Sequence, residues 1–85
     1  FTLDQNYPNP FNPKTNITYS LEQAGLVSLD IYNALGQRVT QLVNKSQSPG
    51  RYNVQWDASV APSGIYYYRL EVGGVSLTRK MTLIK

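Results

Sequence analysis

The chain has neither cysteine nor histidine among its 85 residues. Their absence removes Ser-His and Cys-His nucleophilic arrangements, Cys/His zinc sites and any disulfide framework. Carboxylates are scarce too: Asp4, Glu22, Asp30, Asp57 and Glu71 are the only ones, and they lie far apart along the chain. Ser28, Ser59 and Ser63 have no histidine to activate them, and nothing marks a Ser-Lys pair. Asp4 and Asp57 are the carboxylates a calcium site would draw on, but there is no run of alternating acids to supply the roughly six to eight oxygens Ca²⁺ needs. No catalytic, metal or cofactor residue is assigned on this basis, and none is expected.

Long apolar runs are missing as well, none approaching the ~20 residues that span a bilayer. Charge is sparse at 15% of residues, against 41% hydrophobic ones, which is too apolar for intrinsic disorder. The net charge is +3 and the pI about 9.3, but the basic residues are scattered singly apart from Arg79-Lys80. Nucleic-acid binders gather such residues on one face to meet successive phosphates, so no nucleic-acid partner is expected. The chain opens at Phe1 without Met or a signal-peptide pattern. It reads as a piece of a longer protein whose natural end is Lys85.

What remains points to one domain with a thin core, since folding at this size hides only roughly 60% of the unfolded surface. Residues 1–15 form an extended, proline-rich arm. Pro8, Pro10 and Pro13 fix their own φ and push Tyr7, Asn9 and Asn12 toward extended geometry, which excludes a helix and disfavours a central strand. Phe1, Leu3, Tyr7 and Phe11 are expected to peg the arm to the rest.

Residues 16–85 alternate with period two and carry turn residues every eight to twelve positions. Ile17, Tyr19 and Leu21 alternate with polar neighbours, as do Val27, Leu29 and Ile31 with Ser28, Asp30 and Tyr32. Asn33-Ala34-Leu35-Gly36 suits a type I turn leading into a strand over Arg38–Val43. Ser48-Pro49-Gly50 has the residues of a type II turn before Tyr52, Val54 and Trp56. Tyr66, Tyr68, Leu70 and Val72 share one face of the next strand. Gly73-Gly74 makes a primed hairpin turn into Val75–Ile84, where Leu77, Met81 and Leu83 share a face with Arg79. The pattern predicts an all-β, immunoglobulin-like antiparallel β-sandwich of six to seven strands without a disulfide, its centre filled by Trp56 and the strand aromatics.

Two short patterns, Asn16-Ile17-Thr18 and Asn44-Lys45-Ser46, match a glycosylation acceptor and recur by chance. The aromatics carry more. In Tyr66-Tyr67-Tyr68 the middle residue must face the other way, making Tyr67 the candidate exposed aromatic, with Tyr32 a second candidate. A carbohydrate-binding or spacer module appended to a glycan-degrading enzyme is the alternative reading this supports.

The run Gln5-Asn6-Tyr7-Pro8-Asn9-Pro10-Phe11-Asn12-Pro13, followed by Thr15-x-Ile17-x-Tyr19-x-Leu21, resembles the opening of the type A C-terminal sorting domain of the Por, or type IX, secretion system. The resemblance continues through Ile31-Tyr32-Asn33-x-Leu35-Gly36, Gly50-x-Tyr52-x-Val54-x-Trp56-Asp57, Ser63-Gly64-Ile65-Tyr66 and Arg79–Lys85. The proline-asparagine run also resembles the immunoglobulin-like domain of flagellar hook-capping proteins.

The resemblance implies a noncatalytic domain at the end of a protein that reaches the cell surface or the medium by way of the periplasm. An outer-membrane translocon and a surface transpeptidase would be its partners, and a catalytic or adhesive domain its upstream neighbour. The last strand, as a chain terminus at a sheet edge, is the candidate recognition element. It would offer unpaired backbone groups together with Arg79, Lys80 and Lys85.

Overall fold

In a computed structural model, which describes Phe1–Lys85, the period-two stretches become strands β1 (Thr2–Leu3), β2 (Lys14–Leu21), β3 (Gly25–Asn33), β4 (Arg38–Gln47), β5 (Gly50–Asp57), β6 (Gly64–Val72) and β7 (Val75–Leu83). They form two antiparallel sheets, β1-β2-β5 and β4-β3-β6-β7. There is no helix.

Alternation decides which side chains meet between the sheets. Thr15, Ile17, Tyr19 and Leu21 of β2 face Val27, Leu29 and Ile31 of β3 and Tyr66, Tyr68 and Leu70 of β6, all buried. Trp56 packs against Phe11 and Tyr66, with ring centroids 5.7 and 5.3 Å apart. The β3–β4 turn is held by Asn33, whose Oδ1 accepts from the backbone N–H of Leu35 and of Gln37, both at 3.0 Å. Gly73 and Gly74 take φ of 58° and 82°, as a primed turn requires, and join Val72 to its partner Val75.

The arm is threaded through the fold. Leu3 and Phe11 are buried and Phe1 is half-buried, but Tyr7, expected to be a peg, is 80% exposed. Its backbone bonds Asn16 in both directions, which turns the ring to solvent. The X-Pro bonds before Pro8, Pro10 and Pro13 are cis. Buried Asn6 donates from Nδ2 to Thr15 Oγ1 at 2.9 Å, and Thr15 donates to the Pro8 carbonyl. The Asn6 N–H reaches the Tyr68 hydroxyl, which itself donates to the Asp4 carbonyl.

One further expectation is corrected. The chain at Ser48-Pro49-Gly50 makes no hydrogen-bonded turn; it crosses from β4 in one sheet to β5 in the other, and the Tyr52 hydroxyl donates to the Ser48 carbonyl across the crossing. Leu77 and Arg79 share a face with Met81 and Leu83, yet Leu77 is 37% exposed and Arg79 is exposed. The cause is that β1, with two residues, is too short to cover the first half of β7. Asp30, on the opposite face of β3 from Leu29 and Ile31, is buried as well, because it lies on a central strand between its register partners Gln41 and Arg69.

Candidate functional site

The candidate recognition residues sit on or just beyond β7, an edge of the four-stranded sheet. Successive strand residues face opposite ways, so Arg79 and Lys80 cannot act on one surface. Arg79 turns toward the arm and donates from Nε to the Leu3 carbonyl at 2.6 Å. Lys80 lies on the outer face beside its register partner Tyr67. Lys85, past the strand, donates from Nζ to the Ser59 carbonyl at 3.0 Å. The structure therefore distributes the three cations over different surfaces.

The edge itself is half sealed. Phe11 donates its N–H to the Thr82 carbonyl and accepts from the Ile84 N–H, at 3.0 and 2.9 Å. Asn9 Oδ1 accepts from the Thr82 N–H, and Gln5 Nε2 donates to the Lys80 carbonyl. Unpaired backbone groups on this strand are what the sequence leads one to expect. Instead the arm occupies the outward-facing groups from the Lys80 carbonyl onward, and only the earlier part of the edge lacks a covering strand.

The other singled-out residues serve as scaffold. Pro8 and Pro13 supply carbonyls, the latter to the Ala58 N–H at 2.9 Å. Asn9 holds β7, and Phe11, Trp56 and Tyr66 form one aromatic group. Gly36, at φ 83°, completes the turn set by Asn33. The Ser63-Gly64 step opens β6, where Tyr66 donates its hydroxyl to the Pro62 carbonyl at 2.6 Å. Pro10 and Asn12 are exposed.

Sequence reasoning missed the cleft at the end of the sandwich, about 460 Å³ in volume, where Leu35, Val39, Val60 and Ile65 gather. Leu35 is 84% and Val60 99% exposed. Both are turn or loop residues outside the period-two pattern, so alternation carried no signal for them.

Nothing in this geometry assembles a reaction centre. The two carboxylates a calcium site would draw on lie at opposite ends of β5: Asp4 pairs with Arg51 at 2.9 Å, and Asp57 ends the strand. No three of the chain's carboxylates come together. Asp57 accepts from the Ser59 hydroxyl and N–H, and these bonds hold its carboxyl below the usual carboxylate range.

A family model described as "Secretion system C-terminal sorting domain" matches residues 5–85, from the arm to the end of the chain. No match was found among curated proteins. Domains of this kind are noncatalytic C-terminal signals for type IX secretion, and the proteins that carry them cross the outer membrane to the cell surface or are released. The match takes in the arm and both sheets, and the chain belongs to the secretion system C-terminal sorting domain family.

Proposed function

We propose that this domain carries an upstream catalytic or adhesive domain of the same polypeptide to an outer-membrane translocon, and that a surface transpeptidase then acts on the exported protein. The extent of the family match supports this reading, because it spans the arm and both sheets. Any catalysis belongs to the upstream domain.

We further place translocon recognition on side chains at the C-terminal end of β7. The Lys80 and Lys85 side chains are exposed, whereas the arm takes the neighbouring backbone groups that strand addition would need.

The test fuses the 85 residues to a periplasm-directed fluorescent reporter in a host with a working type IX system. Reporter is expected at the cell surface or in the medium, and retention of the unmutated fusion in the periplasm would overturn the sorting reading for this chain. Lys80→Gln with Lys85→Gln should change stability by less than about 0.5 kcal/mol, as for other surface substitutions. Periplasmic accumulation of that folded double variant is the expected result, and unchanged export would remove both charges from recognition.

A further inference from the structure

The outer face of the four-stranded sheet holds an arginine whose donors are unused. Arg69, in the middle of β6, makes no hydrogen bond to the protein, and its Nε is buried without a partner. Its guanidinium lies over the Tyr32 ring, 5.4 Å from the centroid. Its one ion pair is with Glu71, 4.0 Å from Nη2 and half exposed. Asp30 faces Arg69 in register but makes no ion pair with it, taking hydrogen bonds from Ser28 at 3.1 Å and Tyr32 at 3.5 Å and leaving Oδ1 unpartnered.

A depression of about 310 Å³ opens here, lined by Tyr32, Asn33, Tyr67, Arg69 and Thr78. Tyr32 and Tyr67 are direct register partners on neighbouring strands, and Arg38 and Lys80 flank them on the two outer strands of the same row. Adjacent strands stand about 4.8 Å apart, so the two tyrosines present roughly the width of one sugar ring. Because Arg69 covers the face of Tyr32, an apolar ring face has only Tyr67 to lie on, and a neutral polysaccharide gains little. A planar carboxylate, by contrast, matches the unused guanidinium fork. Three cations against Asp30 and Glu71 leave a surplus of one positive charge, which suits a monoanion better than a phosphate dianion.

We propose that this face is a subsite for a uronate residue of an acidic glycan, with Arg69 holding the sugar carboxylate and Tyr67 lying against the ring. Thr78 supplies a hydroxyl partner at the margin.

Calorimetric titration of the 85-residue chain with trigalacturonate tests this without any export machinery, so its outcome is independent of the sorting role. Saturable binding is expected, weakened by added salt and at least about tenfold weaker for the uncharged methyl ester. Tyr67→Ala and Arg69→Gln should each weaken it by about tenfold or more. Arg69→Lys, which keeps the charge and removes the fork, should behave like Arg69→Gln. Thermal melts confirm that each variant is folded, and Tyr67→Ala, at a partly exposed site, serves if the arginine variants are not. Absence of saturable binding overturns the proposal. So does equal affinity for triglutamate, which would mark an acidic-peptide surface, or binding unchanged in Arg69→Gln and Tyr67→Ala.

Discussion

Trp56 and Tyr68 represent two ways in which a single side chain secures a thin core. Trp56 fills space between Phe11 of the arm and Tyr66 of β6. Its replacement by Ala should cost about 3–5 kcal/mol in chemical denaturation, the usual penalty for deleting a large buried side chain, and a loss below about 1 kcal/mol would contradict its place in the core. Tyr68 instead acts through its hydroxyl, between the Asn6 N–H and the Asp4 carbonyl. Burial pushes the Tyr68 phenol up to about 12, above its unfolded value of 10.0, while the Asn6 hydrogen bond and Arg79 pull the other way. The folded state thus holds the proton more tightly. The resulting stability is fully present below pH 10, declines as the unfolded chain begins to ionise, and is lost as the pH rises through about 12. Burial raises the Tyr19 phenol in the same direction. Denaturation at a series of alkaline pH values should show stability falling with pH, less steeply for Tyr68→Phe. That variant should also lose about 1–3 kcal/mol at neutral pH through the buried groups left unpaired. Alternation alone marked Trp56 and Tyr68 as inward-facing. It could not reveal Tyr68's partners, which lie more than sixty residues away, nor that covering side chains would bury Asp30 on the outer face.

Among the elements, the arm and β7 depend on one another. A terminal edge strand invites pairing with other chains, and the arm protects it with bonds from Gln5, Asn9 and Phe11. Asn9→Ala should therefore speed amide hydrogen exchange at Thr82 while leaving the melting transition nearly in place. Phe11→Ala, which also removes a buried ring, should cost about 3–5 kcal/mol and free the amide of Ile84. Equal exchange at Thr82 in the parent and in Asn9→Ala would exclude this protective role. Strands β2, β3 and β5 to β7 were legible because each has an apolar face bounded by turn residues, whereas β4, which buries only Val43, was legible as far as that residue and runs on to Gln47. The covering of β7 was not, because prolines that announce an irregular segment do not say which edge it runs along. The Ser48-Pro49-Gly50 crossing was misread for a related reason: the same residues serve a tight turn and a step between sheets.

At the scale of the whole molecule, the arm is part of the sandwich. It contributes β1, buried Leu3 and Phe11, and the polar network around Asn6 and Thr15. A chain beginning at residue 13 should consequently lose its cooperative thermal transition, and one that melted like the full chain would show the arm to be dispensable. Phe1 and Lys85 lie at opposite ends of a body 37 Å long: Phe1 borders Gly25 and Gly73, while Lys85 reaches Ser59 in the β5–β6 loop. Between them the arm runs parallel to β7, with Phe11 alongside Leu83. Tension applied through Phe1 and Lys85 would pull the two segments past each other lengthwise, so that the bonds at Leu3, Gln5, Asn9 and Phe11 share the load instead of opening one after another. A domain hauled by its ends through a narrow passage would resist as a sheared joint does, and would come apart far more readily if the arm were lifted away sideways.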